Sequence, residues 1–289
     1  MGTVSGYHET YMIQFLSRNP IAVDEAVLTA SLERRLGRLS LEERVGRAGR
    51  EPLQYHLQDY PITGEAGGPP SVLAFLKPET VRPQDTVDED LDRIAVQSWR
   101  TPNARELYAA MKYTLVMAHI APAPPMPDAL RRAAIINGVL ALLEAAEFDL
   151  ISWTATEQML TPAFIKQAYS DPEEMAEPQV GFINSRRFRV GDEVLMDTVG
   201  LSALGLSDFE IHFRGLDPRS VTELVGWLVG AVFANGDVID DGDRVGKYNW
   251  PCRREAAFMG PERRVVAIDP GPEFGVYRKA GIMREGTGS

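Results

Sequence analysis

Residues 113–146, YTLVMAHIAPAPPMPDALRRAAIINGVLALLEAA, carry the signals that decide the fold. The first eight residues are apolar enough for a strand inside a sheet. The four prolines of residues 121–127 exclude a helix and a central strand, because proline lacks the backbone N–H donor. From Asp128 to Ala146 apolar residues recur at helical spacing. The stretch therefore predicts an interior strand, a stiff connector and a long helix.

The chain before this stretch predicts a β-α-β-β unit. Tyr11–Leu16 is a short apolar segment, and Val23–Leu36 has apolar residues at helical spacing. Leu53–Leu57 alternates as a strand does, and Ser71–Lys77 reads as a buried strand after a glycine-rich turn.

Two hydroxyl–proline pairs, Thr101-Pro102 and Thr161-Pro162, predict helix starts with the hydroxyl as N-cap. Gln179–Val190 and Glu193–Val199 predict a hairpin that turns at Gly191-Asp192.

A last helix is predicted to begin at Asp217-Pro218 and to end at Asn235-Gly236. Further strands are expected over 148–153, 209–213, 253–258 and 263–268.

Strands separated by helices, with several hairpins, predict an α+β fold in which helices pack on the faces of mixed or antiparallel sheets. The β-α-β-β order at both ends of the chain permits a duplicated ferredoxin-like arrangement. We expect an N-terminal unit over residues 1–120 and a C-terminal unit over 121–289, with one continuous domain as the alternative.

Charge and composition narrow the partners. The 289 residues include 30 Lys and Arg against 41 Asp and Glu, a net charge of −11. A field of this sign repels nucleic acid and anionic membranes and favours a basic partner, although solubility alone also explains it. The arginines between Arg34 and Arg50 alternate with glutamates, which predicts i, i+4 ion pairs on a solvated helix and no nucleic-acid patch.

Location and redox chemistry follow from what the sequence contains. Cys252 is the only cysteine, so no intrachain disulfide forms, and a zinc site has at most one thiolate. Residues 1–18 do not follow the pattern of a signal peptide, and no apolar stretch approaches the ~20 residues of a membrane span. We expect a cytoplasmic protein.

The string NGDVIDDG at 235–242 suggests a cation site, because Asp237, Asp240, Asp241 and Asp243 lie close together. A calcium loop starting at Asp237 would have Ile239 at position three and Tyr248 at position twelve, so it lacks two ligands. A magnesium site on two carboxylates remains open. A helix C-cap followed by a solvated acidic turn is the favoured interpretation.

Three candidate catalytic groups lack the partners that their chemistry needs. Gly200–Ala203 resembles a nucleophile elbow around Ser202, but the second glycine arrives one residue late, at Gly205. Ser98 and His119 are candidates for a hydroxyl and a general base. Cys252 is followed by two arginines that could lower its pKa, but no histidine lies near it in sequence. We assign no catalytic residue, metal ligand or cofactor.

Four short sequence motifs occur in an order that resembles a known family. They are AVQSWRTPNA at 95–104, SWTATEQMLTPAFIKQA at 152–168, DTVGLSALG at 197–205 and NGDVIDDGDRVG at 235–246. Together with the strand around His119 they resemble the bacterial family catalogued as domain of unknown function 4261, over roughly residues 72–268. The resemblance implies a shared fold and no established reaction. It also implies the expectation that such genes occur near toxin-delivery systems such as type VI secretion.

Three functional hypotheses remain. The favoured one is a non-enzymatic immunity protein that binds a basic toxin domain and occludes its active site. Its candidate contacts are the acidic turn Asp237, Asp240, Asp241 and Asp243 and the acidic loop Asp171, Glu173, Glu174 and Glu177. The alternatives are an enzyme built on His119, Ser98 and the acidic turn, and an intracellular adaptor or chaperone for a secreted protein. An adaptor would present a broad apolar patch or groove in place of an acidic one.

Overall fold

A computed structural model describes residues 6–41, 52–80, 94–122, 125–170 and 179–276. The chain divides into two compact units. Unit 1 comprises residues 1–184 and 199–206, and unit 2 comprises 185–198 and 207–289. The boundary expected at residue 120 lies inside unit 1, because the strand before it and the helix after it belong to the same unit.

Unit 1 contains a sheet in which eight strands of the described residues take part, ordered β2-β3-β4-β6-β1-β7-β8, with β5 also paired to β6. The pairings among these described strands are all antiparallel. The central strand β1 buries the apolar side chains Tyr11, Ile13, Phe15 and Leu16. It pairs with β6 over its whole length, from Thr10 opposite Ile120 to Ser17 opposite Tyr113. The strands are β1 Thr10–Ser17, β2 Leu39–Leu41, β3 Leu53–Pro61, β4 Pro70–Phe75, β5 Glu79–Thr80, β6 Tyr113–Ile120, β7 Leu150–Trp153 and β8 Gln158–Leu160.

Helices of unit 1 cover this sheet. They are α1 Glu25–Leu36, α2 Ala104–Ala109, α3 Asp128–Ala145 and α4 Pro162–Ala168, and residues 94–97 are also helical. Helices α1 and α3 pack on each other and contact β3. Gly138 lets α3 approach the sheet closely, because a Cβ there would lie 2.9 Å from Leu73 Cδ1 of β4 and 3.1 Å from Met117 Sδ of β6.

Unit 2 is a mixed sheet with one long helix. In the described part of the chain, six strands are ordered β12-β13-β14-β11-β10-β9, and β11 and β14 run parallel. The strands are β9 Asn184–Val190, β10 Glu193–Val199, β11 Asp208–Arg214, β12 Arg244–Val245, β13 Trp250–Ala256 and β14 Arg264–Ile268. Their order confirms the predicted α+β fold with antiparallel and mixed sheets, and the ferredoxin-like duplication stays a prediction.

Helix α5, Pro218–Asn235, packs on one face of this sheet, where the Thr222 hydroxyl donates to Met196 Sδ of β10 at 3.9 Å. Asp217 caps its start by accepting from the Arg219 N–H, and Gly236, at φ 82°, ends it as predicted. Its buried residues are Val221, Val225, Leu228, Val229 and Val232. Phe209, Ile211 and Phe213 of β11 are buried as well, while the alternate residues Asp208, Glu210 and His212 point to the opposite face. The sheet therefore has an apolar face and a charged face.

Two local predictions are wrong. Thr161 caps α4 as expected, but the cap of α2 is not Thr101. Thr101 is buried and donates its hydroxyl to the Met159 carbonyl 2.6 Å away, so the helix begins later, at Ala104. Here the tertiary partner replaces the local one, because a buried hydroxyl needs an acceptor.

The second correction concerns the arginines from Arg34 onwards. Helix α1 ends at Leu36, and Arg34 and Arg35 pair with Glu144 of α3 at 2.5 and 2.6 Å, with no i, i+4 partner. Burial acts to raise the pKa of Glu144, but hydrogen bonds from Arg35, Ser31 and Arg34 prevail and lower it to about 2. The rest of that basic stretch, residues 42–50, lies outside the described residues.

Candidate functional site

The predicted acidic turn folds around an arginine of its own unit. Arg254 donates to Asp237 Oδ2 at 2.9 Å and lies 3.2 Å from Asp240 Oδ1. Its backbone N–H donates to Asp241 Oδ1, and Asp243 Oδ2 accepts from the Asp240 N–H at 2.8 Å. The four carboxylates are thus brought together, and each has a partner within the fold.

This turn keeps an excess of negative charge. Asp240, Asp241 and Asp243 are exposed, and one arginine does not neutralise four carboxylates. Contact with a basic partner at the turn stays a prediction. The second predicted contact surface, Asp171, Glu173, Glu174 and Glu177, lies outside the described residues.

Ser98 and His119 are both buried in unit 1. The Ser98 hydroxyl donates to the Ile94 carbonyl at 2.7 Å and accepts from the Met159 N–H at 2.8 Å. His119 is fully buried in β6, and neither ring nitrogen has a hydrogen-bond partner among the described residues. Burial and the nearby Arg131 lower the pKa of His119 to about 3. The two side chains are therefore not hydrogen-bonded to each other, and His119 is closed to solvent.

Cys252 and Ser202 are both buried. Burial, followed by the charge of Asp243, raises the pKa of the Cys252 thiol to about 11, so the neighbouring arginines do not activate it. Ser202 lies in a buried 3-10 helix, Ser202–Leu204, between β10 and β11. Gly200, at φ 125°, is needed there because a Cβ would collide with the Phe182 carbonyl.

The charged face of the unit 2 sheet carries a buried ion network that the sequence did not reveal. Arg186 of β9 donates to Asp197 of β10 through Nε at 2.9 Å and Nη2 at 2.5 Å. Arg263 donates to the same carboxylate at 2.7 Å and lies 3.4 Å from Asp208. Thr198 donates its hydroxyl to Asp208 at 2.9 Å. All these side chains are buried, so the network serves the fold and is closed to a ligand.

A cleft of about 360 Å³ opens on the same face. Its titratable lining residues are Glu210, His212, Arg253, Glu255 and Asp269. Burial lowers the pKa of His212, against the opposing effect of Glu193, and burial raises the pKa of Glu255, against that of Arg253. Such shifted pairs occur at catalytic sites and in structural ion networks alike.

A second cleft of unit 2, which we call the aromatic groove, has a volume of about 680 Å³ and lies between α5 and the β12–β13 turn. Trp227 of α5 is 63% exposed and Tyr248 of the turn is 53% exposed. Tyr248 stacks on Trp250 with ring centroids 4.9 Å apart and planes at 22°. The groove is lined by Leu216, Asp217, Ser220, Val221, Glu223, Leu224, Trp227, Arg244, Val245, Gly246, Lys247, Tyr248 and Trp250.

Local backbone geometry builds both walls of the aromatic groove. Residues Ser220, Glu223, Leu224 and Trp227 recur at three- and four-residue intervals, so they share one face of α5. Val245 pairs with Trp250, which makes residues 246–249 a tight turn. Gly246, at φ 67°, lets that turn approach the helix, because a Cβ there would lie 3.0 Å from Leu224 Cδ1.

The cations of the aromatic groove have partners in the turn itself. Arg244 Nη1 donates to the Asn249 carbonyl at 2.9 Å, and Lys247 Nζ lies 4.9 Å from the centroid of the Tyr248 ring. Asp217 is used in capping α5. The Glu223 side chain is exposed, and its carboxylate has no hydrogen bond or ion pair within the described ranges. One free carboxylate therefore stands four residues before the exposed indole.

Sequence reasoning missed this groove although a signal was present. The apolar stripe of α5 runs through Val221, Val225 and Leu228, and Trp227 falls outside it. A tryptophan on the polar face of an amphipathic helix is a marker of a binding surface. Tyr248 gave no comparable signal, because only the turn geometry brings it opposite the helix.

Within the described residues, no helix combines the length and apolarity that crossing a bilayer requires. In the same part of the chain, no group of three or more His, Cys, Asp or Glu side chains is arranged to hold a metal ion.

Comparison with known proteins gives one match. The model of a family described as "Domain of unknown function (DUF4261)" matches residues 197–269, about a quarter of the chain. Searches of curated proteins and of solved structures find no match. The matched segment lies in both units as the chain is divided, and it includes every lining residue of the aromatic groove. Over residues 197–269, therefore, the resemblance to DUF4261 is confirmed, and for the rest of the span 72–268 it stays a prediction.

Proposed function

We propose that this chain is a non-enzymatic protein-binding protein, an immunity protein that neutralises a bacterial toxin domain by occluding its active site. The observation that supports the proposal is the aromatic groove, with two large aromatic side chains exposed on a well-packed unit. Tryptophan, tyrosine and arginine are the residues most enriched at the energetic centres of protein interfaces. Trp227 and Tyr248 supply the first two of these types, and both are exposed.

The exposed indole is large enough to anchor a partner. Covering roughly 150 Å² of Trp227 contributes about 4 kcal/mol at ~25 cal/mol per Å². Orientation and side-chain ordering oppose binding, so only part of this free energy appears in the affinity. A contribution near 2 kcal/mol, the usual threshold for an interface hot spot, is the expectation.

Charge favours a basic toxin domain as the partner. The chain has a net charge of −11, and the acidic turn directly precedes Arg244 of the aromatic groove. Negative charges beside an aromatic anchor attract a cationic partner surface and so speed its association. An adaptor for a secreted protein would need a broader apolar surface than two exposed rings flanked by charged side chains.

The experiment begins with a photo-crosslinking amino acid at Gly230, one turn from Trp227 on an exposed face of α5. The captured toxin domain is then co-expressed with the chain, and rescue of growth is scored. Trp227→Ser is expected to weaken the affinity about 30-fold, which corresponds to ~2 kcal/mol. Trp99→Ser is the matched control, because Trp99 of unit 1 is also 63% exposed. Equal effects of the two substitutions, or binding without rescue from toxicity, would reject the proposal.

An enzyme remains the second candidate because of the cleft lined by Glu210, His212 and Glu255. This candidate predicts that a small polar metabolite raises the melting temperature of the protein, and that Glu255→Gln removes the rise. If no metabolite in a screen raises the melting temperature of the unsubstituted protein, this candidate is wrong.

A further inference from the structure

We propose that the aromatic groove recognises an arginine side chain of the partner, with the guanidinium stacked on the Trp227 indole and paired with the Glu223 carboxylate. This inference rests on the proposed function and names the chemistry of the contact. It predicts a basic segment of the partner as the occupant of the groove.

The first argument is the geometry of α5. Glu223 and Trp227 are four residues apart, which places a carboxylate and an indole side by side on the same exposed face. Gly226 and Gly230 flank the indole, and a Cβ at either position would meet nothing within 4 Å. Trp227 therefore has open space along the helix, and an incoming planar group has room to stack.

The second argument is the charge on the helix wall of the groove, beside Trp227. The lining as a whole is balanced, with Asp217 and Glu223 against Arg244 and Lys247, but both cations lie on the turn side, Arg244 bonded to the Asn249 carbonyl and Lys247 over the Tyr248 ring. Glu223 lacks an ion-pair partner in the described part of the chain. A free carboxylate beside an exposed indole attracts a cation from outside the molecule, because ring and carboxylate are both negative on the side they present.

The third argument selects arginine over lysine. A planar guanidinium stacks on an aromatic face while its edge N–H groups donate to a carboxylate, whereas an ammonium does only one of these well. The chain itself contains the same stacking in unit 1, where the Arg100 guanidinium carbon lies 4.5 Å from the centroid of the Trp99 ring.

The test is a titration of the full chain with the peptide acetyl-Gly-Gly-Arg-Gly-Gly-amide, followed by the indole Nε1–H signals in a ¹⁵N NMR spectrum. The chain has four tryptophans, and Trp227→Phe assigns the signal of Trp227 by its loss. A peptide with citrulline in place of arginine is the matched control, because it keeps the shape and removes the charge.

We expect the arginine peptide to shift the Trp227 signal most and to leave the signals of Trp99 and Trp153 in unit 1 unshifted, with an affinity about tenfold higher than that of the citrulline peptide. Glu223→Gln should reduce this difference several-fold and leave the other three indole signals in place, which shows that the fold is intact. Equal shifts with the two peptides, or no effect of Glu223→Gln, would overturn the assignment of arginine.

Failure here is distinguishable from failure of the proposed function. If Trp227→Ser abolishes capture of the toxin domain while the peptide shifts nothing, the groove binds protein and the arginine assignment is wrong. If the peptide binds as expected but no toxin is neutralised, the arginine site stands and the immunity function is wrong.

Discussion

Replacing Asp197 with asparagine removes the negative charge at the centre of the buried ion network in unit 2. Asp197 accepts two hydrogen bonds from Arg186 and one from Arg263, at 2.9, 2.5 and 2.7 Å. Asparagine has nearly the same volume, so the packing of β9 and β10 is kept. The substitution therefore reports the charge and not the shape of the side chain.

The expected loss of stability is large. Hydrogen bonds to charged groups contribute roughly 1.5–3 kcal/mol each, and asparagine retains one acceptor for three donors. Removing one partner of a buried ion pair costs about 3–5 kcal/mol, because the remaining charge stays buried. Here Arg186 loses the carboxylate with which it pairs, and Arg263 keeps Asp208, 3.4 Å away. Against a typical total of about 5–15 kcal/mol, this leaves unit 2 marginally stable.

The assay follows unfolding of unit 2 in urea by pulse labelling of Cys252, the only cysteine, which is buried in β13. With a slope near 2 kcal/mol per molar, the loss corresponds to a midpoint lowered by about 2 M. Asp59→Asn is the control, since Asp59 pairs with Arg38 at an exposed site and its loss should leave the midpoint unchanged.

A double substitution separates charge from other causes. Arg186→Met with Asp197→Leu removes one charge of each sign and leaves Arg263 with Asp208. The double variant should lose about 2 kcal/mol less than the sum of its single substitutions, because no buried charge is left unpaired. An unchanged midpoint for Asp197→Asn, or additive losses in the double variant, would refute the reasoning.

Three further predictions concern other sites. Burial and Arg131 lower the pKa of His119 from its ordinary value of 6.5 to about 3. His119 therefore contributes stability that is present above pH 6.5 and is lost as the pH falls towards 3. His119→Phe should flatten this pH dependence of stability in acid unfolding curves. Burial raises the pKa of Cys252 to about 11, so a thiol reagent at pH 8 should label the native protein far more slowly than the urea-unfolded protein, and equal rates would contradict this. Gly230→Ala should raise the free energy of unfolding by up to about 1 kcal/mol, because its Cβ meets open space in a helix. Gly138→Ala should lower the free energy of unfolding by about 1–3 kcal/mol, because its Cβ meets two buried side chains. Thermal melts that rank the two variants the other way would show that this packing argument is wrong.

Elements with a strong local pattern were predictable. The strand at 113–120, the helix from Asp128 and the helix between Asp217 and Gly236 were all expected from the sequence and lie within a residue or two of their predicted bounds. Periodicity and caps act between near neighbours, so one sequence contains the whole signal. Thr101 shows the limit, since its hydroxyl fits a cap locally but bonds to Met159, 58 residues away.

The candidate site was hardly predictable. The acidic turn was expected to face a partner, yet its arginine, Arg254, reaches it through the pairing of β13 with β14. The exposed indole of Trp227 was readable as a departure from the apolar stripe of α5, whereas its neighbour Tyr248 was not.

The sequence by itself determined the α+β class, the main helices and the acidic charge, because these follow from local spacing and composition. The tertiary structure alone decided which charges are used within the fold and which face outward. Asp197 is buried between two arginines, while Glu223 stands free beside an exposed ring. Both are acidic residues, and their neighbours in the sequence do not indicate which of them is buried. Pairing of distant strands sets their surroundings, and the free energy of a charge depends on burial and partners more than on its neighbours in the chain.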